Sequence, residues 1–114
     1  MKLKLIAVND WLIEQFINDP NYTIDRSGVI YNQKGKILGF VKEGEAKARG
    51  KKYIYIKYKG KELKAHRIVY RKFNGNLDRE LVVHHRDANG LNNNCDNLEL
   101  TTQEINVIET QRGA

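Results

Sequence analysis

Apolar residues recur at helical spacing through Trp11, Leu12, Ile13, Phe16 and Ile17, then give way to short alternating runs typical of strands. Asn9 or Asp10 is placed to cap this first helix, which stops before Pro20. Tyr22–Ile24 and Val29–Tyr31 flank the turn sequence Asp25-Arg26-Ser27-Gly28, and Lys34-Gly35-Lys36 separates them from Ile37–Val41. Three short antiparallel strands are expected there. Lys42–Lys52 is polar and glycine-containing, a loop expected to order on a partner. Tyr53–Tyr58 and Lys61–Lys64 form a hairpin around Lys59-Gly60. Ala65, Val69 and Phe73 then step by four, so a helix spans 65–73 and ends at Asn74-Gly75. Val82–His85 reads as a strand, Asp87–Asn94 as a compact loop and Leu98–Leu100 as the returning strand. Thr101 and Glu104 match a capping box that opens a last helix, with Ile105 and Ile108 on its buried side and Asn106 beside them. The fold class is α+β: an N-terminal antiparallel β region with short helices, joined to a strand, loop, strand and helix.

At 114 residues, with no Pro- or Ser-rich linker, the chain is expected to form a single domain, 1–114. Within it, a β-rich part (1–75) shares its core with the C-terminal unit (76–114). The single Cys95 excludes an internal disulfide and a cysteine-held zinc, and is read as a small packing residue in a reducing compartment. No apolar run reaches the ~18 residues that span a bilayer, and Met1–Ala7 is too short for a signal peptide's apolar stretch. A soluble, cytoplasmic protein with no membrane partner is expected.

Charge adds a partner. Residues 34–72 hold fourteen of the twenty Lys and Arg against Glu43, Glu45 and Glu62, while both flanks are net acidic. Basicity concentrated in one third of the chain suits a surface that holds a polyanion. Alternation through 53–59 puts Tyr53, Tyr55, Lys57 and Lys59 on one strand face and Ile54, Ile56 and Tyr58 on the other. With Arg49, Lys52, Arg67 and Arg71 these make an expected phosphate-binding surface, whose affinity for a polyanion falls with salt.

The chemistry-bearing residues lie near the C-terminus. His84 and His85 adjoin, Asn97 follows His85 by twelve positions, and Asn106 follows Asn97 by nine. A neutral imidazole with a pKa near ~6.5 accepts a proton from water at neutral pH. An asparagine carbonyl on one ring nitrogen leaves the other free for that water. One divalent cation with few protein ligands neutralises charge on a scissile phosphate. His66 suits either this site or a packing role shared with Tyr70.

The spaced set His84, His85, Asn93, Asn97, Leu98 and Asn106 resembles the HNH nucleases, the ββα-metal fold, and is most similar to small phage or homing-type endonucleases. Ala65-His66-Arg67-Ile68-Val69 leading to Phe73 resembles the helix that precedes the motif in that family. The resemblance implies a divalent-metal-dependent DNA endonuclease or nickase, in the host cytoplasm if phage-encoded. It implies His85 as general base, Asn97 as the residue that orients it, His84 and Asn106 as metal ligands, and Asn93 as a loop brace. Mg²⁺ or Mn²⁺ is the expected cofactor, and a histidine in the ligand set suits Ni²⁺ or Zn²⁺ as well. One site per chain cuts one strand at a time as a monomer, whereas a double-strand cut takes a homodimer or sequential nicks. Two other readings share these residues: a DNA-binding or regulatory module without turnover, and a nuclease toxin domain.

Overall fold

The computed structural model of the chain describes residues 2–44, 50–75, 77 and 81–102. Helix α1 spans Lys2–Asn18. It begins well before the expected cap, because Lys2–Val8 contains no breaker and Asn9 and Asp10 sit inside the helix. Its Leu12, Ile13 and Phe16 are buried, while Trp11 stays exposed. None of the described helices is long and apolar enough to cross a membrane.

Strands β1 (Tyr22–Ile24) and β2 (Ile30–Asn32) pair antiparallel, Ile24 opposite Ile30. The third expected strand departs from the sequence reading. Ile37 makes an isolated bridge with Tyr31, flanked by the Asn32 N–H bond to the Lys36 carbonyl and the Leu38 N–H bond to the Ile30 carbonyl, and no strand extends from it. Phe40–Glu43 forms β3 and pairs instead with β4 (Lys52–Tyr58), which pairs with β5 (Lys61–Lys64). β3 also takes in Lys42 and Glu43, assigned from sequence to the loop, because they lie opposite Tyr53 and Lys52 in the ladder. Helix α2 (Ala65–Phe73) follows β5 directly. A last two-stranded sheet joins β6 (Leu81–His85) to β7 (Leu98–Thr102), with His84 opposite Glu99 and His85 opposite Leu98. The helix expected from 101 onward lies outside the described residues.

One apolar cluster runs through all these pieces except β3, taking Phe16 from α1, Ile30 from β2, Ile56 from β4, Ile68 from α2, Val83 from β6 and Leu98 from β7. Each such side chain contributes about 1.5–3 kcal/mol on full burial. Phe16, Tyr22 and Tyr58 pack ring on ring at centroid separations of 4.5–5.7 Å. The helices are joined at their polar edges by Arg67 to Asp10, 3.4 Å apart, and by Arg71 to Glu14.

Candidate active site

The β6 strand ends at His85, and the chain must reverse within twelve residues to reach Leu98. It does so by local hydrogen bonds rather than by a core of its own. Asp87 is the hub: Oδ1 accepts from Asn89 N–H and from Asn97 Nδ2, and Oδ2 accepts from Asn92 Nδ2. These bonds hold its carboxyl below the usual range. Asn89, Asn92 and Asn94 each turn the chain by accepting a backbone N–H two residues on. Asn97 closes the loop, accepting Asp87 N–H and donating to the Asn92 carbonyl.

His85 is 5 % exposed, and its Nε2 lies 2.8 Å from Oδ1 of Asn93, itself 3 % exposed. An amide oxygen only accepts, so Nε2 carries the hydrogen and Nδ1 keeps its lone pair. Burial pushes the His85 pKa down from the ordinary value and outweighs the opposing pull of the Asn93 bond. This arrangement corrects two expectations. Asn93, expected to brace the loop, holds the histidine; Asn97, expected to orient His85, braces the loop. Of the two ring nitrogens, Nε2 is the one held and Nδ1 the one left free. The twelve-residue spacing brings Asn97 beside the strand end, but its amide is consumed by Asp87 and Asn92.

His84 and His85 both border a cleft of about 180 Å³ with Lys51, Lys52, Tyr53 and the 88–91 loop. The loop seats directly on β4: any side chain at Gly90 would collide with the Lys52 carbonyl and the Tyr53 ring. Tyr53 and Lys52 therefore stand at the histidines. Lys51, which sequence reasoning passed over, joins them on the rim.

The remaining basic and aromatic candidates divide. Lys57 is exposed on β4 as expected. Tyr55 shares its face but is 6 % exposed, covered by the Phe40 ring at 6.0 Å and the Lys42 ammonium at 4.6 Å. Lys59 leaves that face altogether. It takes a left-handed turn conformation, φ 48°, before Gly60, and its ammonium reaches Gln15 of α1 at 3.2 Å. Arg67 and Arg71 are turned to α1 and its carboxylates, not to the cleft. Arg49 and Asn106 lie outside the described residues.

His66 was ambiguous in the sequence and is placed by the structure. It is 6 % exposed, its ring centroid 4.9 Å from that of His85 and 5.6 Å from that of Tyr53. Of the two roles the sequence left open, the contact with His85 places it beside the site.

Residues 63–108 match the family described as HNH endonuclease. They form an HNH segment. The chain is 39 % identical over 94 residues to an uncharacterized HNH endonuclease of Acanthamoeba polyphaga mimivirus, covering 76 % of this chain and 26 % of that protein. It is also similar to the solved structure of the HNH homing endonuclease I-HmuI, described for DNA binding and cleavage, at 30 % identity and a TM-score of 0.59. That match covers 82 % of this chain and 53 % of the other. The chain thus spans about a quarter of one relative and half of the other. No group of three or more His, Cys, Asp or Glu suited to a metal occurs among the described residues. The side chains bordering the cleft that could donate to a metal are His84, His85 and Asn89, a small set that suits a cation taking most of its ligands from phosphate and water.

Proposed function

We propose that the protein is a DNA endonuclease whose general base is His85. The observation that carries this reading is the 2.8 Å bond from His85 to a buried asparagine carbonyl, at the edge of a cleft rimmed by Lys51, Lys52 and Tyr53. The bond fixes one tautomer, and burial keeps the ring neutral so that Nδ1 is available to a water. Lys51, Lys52 and Lys57 supply positive charge for the DNA backbone, and Tyr53 forms one wall against the reacting strand. His84 and Asn106 would hold one divalent cation, Mg²⁺ or Mn²⁺ foremost, which when bound neutralises charge on the scissile phosphate and on the departing oxygen. His85 takes the proton of the attacking water, and Asn93 keeps the ring from rotating as it does so. A single site per chain makes nicking the elementary event, and the likeness to a homing endonuclease favours a mobile-element role.

Cleavage of supercoiled plasmid tests this reading. Wild type with Mg²⁺ or Mn²⁺ is expected to give open circles, EDTA to stop the reaction, and His85→Ala to slow it by roughly 10²–10⁴-fold while still binding DNA. If both proteins bind DNA and neither cuts with any divalent metal, the chain is a binding module instead.

A further inference from the structure

His66 stands apart from the cleft, behind Tyr53 and His85, and its placement is costly. It is buried on α2, and its Nδ1 has no hydrogen-bond partner among the described residues. An unpartnered buried nitrogen lowers stability relative to an apolar side chain of similar size. Core packing alone therefore does not account for an imidazole at this position. What the position does provide is contact with the base: the two imidazoles meet at 4.9 Å and 70°, edge toward face. Tyr53 stands 5.9 Å from His85 and 5.6 Å from His66, so the three rings form one cluster.

We infer that His66 is a positioning residue for His85, a flat wall that stops the base from turning about its Cβ–Cγ bond. Rotation about that bond is soft for histidine, and one hydrogen bond to Asn93 leaves the ring able to swing out of its plane. A quarter-turn would move Nε2–H off the Asn93 carbonyl and withdraw Nδ1 from the attacking water. With His66 and Tyr53 packed against it, a ring turned out of its plane meets its neighbours.

The inference rests on the nuclease reading, and two measurements separate their failures. Cleavage kinetics of His66→Leu and His66→Phe are compared with wild type, alongside thermal unfolding. Leucine removes the flat wall: kcat is expected to fall on the order of tenfold or more with KM within about twofold, since misplacing a reacting group is expensive. Its unfolding midpoint stays at or above that of wild type, because the unpartnered nitrogen is gone. Phenylalanine restores a flat ring and most of kcat. The second measurement is the ¹⁵N spectrum of the His85 ring, which needs no turnover. Wild type and His66→Phe are expected to show one tautomer with hydrogen on Nε2, and His66→Leu a mixture. The inference is overturned if His66→Leu keeps wild-type kcat and a single tautomer, if His66→Phe falls as far as His66→Leu, or if activity falls only together with the unfolding midpoint. Failure of wild type to cut any DNA would remove the nuclease reading and leave the ¹⁵N comparison to decide the positioning role.

Discussion

At the scale of single residues, two histidines are buried uncharged beside one another, and this ties stability to pH. Burial holds the pKa of His66 well below the ordinary 6.5 and that of His85 below it. A histidine with a depressed folded-state pKa binds its proton more readily in the unfolded chain. Its favourable contribution is complete above the unfolded value and is lost as pH falls from about 6.5 toward the folded value. Each such histidine gives a slope of up to about 1.4 kcal/mol per pH unit in that window. Asp87, Asp25 and Asp19, all held below 3.8 by hydrogen bonds, weaken the fold only at lower pH. Unfolding in urea between pH 7.5 and 4.5 is expected to show the loss, and His66→Leu to flatten it. A slope unchanged by His66→Leu would mean that His66 takes up its proton as readily in the folded state as in the unfolded chain. Asn93 is the other residue with much at stake. Asn93→Ala strips the acceptor from a buried imidazole, at a cost of about 1–3 kcal/mol, and is expected to lower kcat, whereas Asn97→Ala acts through a loosened loop. A ¹⁵N spectrum of His85 distinguishes them, since Asn93→Ala alone abolishes the bond directly.

At the scale of elements, the structure moves charge that the sequence suggested was free. Arg67 and Arg71 face Asp10 and Glu14 across the α1–α2 contact. Arg67→Ala is expected to cost on the order of 1 kcal/mol in stability, as a partly buried ion pair is lost. It should leave the salt dependence of DNA binding alone. Lys57→Ala should do the reverse, reducing the log–log salt slope by about 1 with little change in stability. A common effect of both on the slope would return the arginines to the DNA surface. This division also explains what was legible. The bounds of β5 and α2 follow from local apolar period and from turn residues such as Gly60 and Asn74, so the sequence places them closely. The switch of β3 into a second sheet and the capture of Arg67 by a carboxylate 57 positions earlier depend on long-range packing, and no local pattern encodes them. In the site, the histidine pair and the asparagine loop were readable from residue type and spacing. Which asparagine reaches the ring was not, because Asp87 claims Asn97 through a side-chain network invisible to spacing.

At the scale of the whole molecule, the N-terminal hairpin serves the site it lies far from in sequence. The β1–β2 turn rests on the loop that follows β6: Cys95 N–H donates to the Arg26 carbonyl at 2.9 Å, and Gly28, at φ +92°, lies against the backbone of Asn93. A Cβ at Gly28 would enter the space of the Asn93 carbonyl carbon and oxygen, so a side chain there must displace the residue that holds His85. Gly35, at φ +79°, has open space around it and serves as the control. Alanine at either position carries backbone strain on the order of 1–2 kcal/mol, so both variants are expected to unfold at lower temperature than wild type. Gly28→Ala alone is expected to lose cleavage at temperatures where it remains folded, with DNA binding largely kept, because the shift falls on the base rather than on the lysines of the rim. Parallel melting curves, nicking rates and binding isotherms for the two variants decide the matter. Equal losses of activity would mean that the turn only stabilises the fold. A loss confined to Gly28→Ala would show that the N-terminal hairpin sets the geometry of the base, through a contact that joins the first third of the chain to the last.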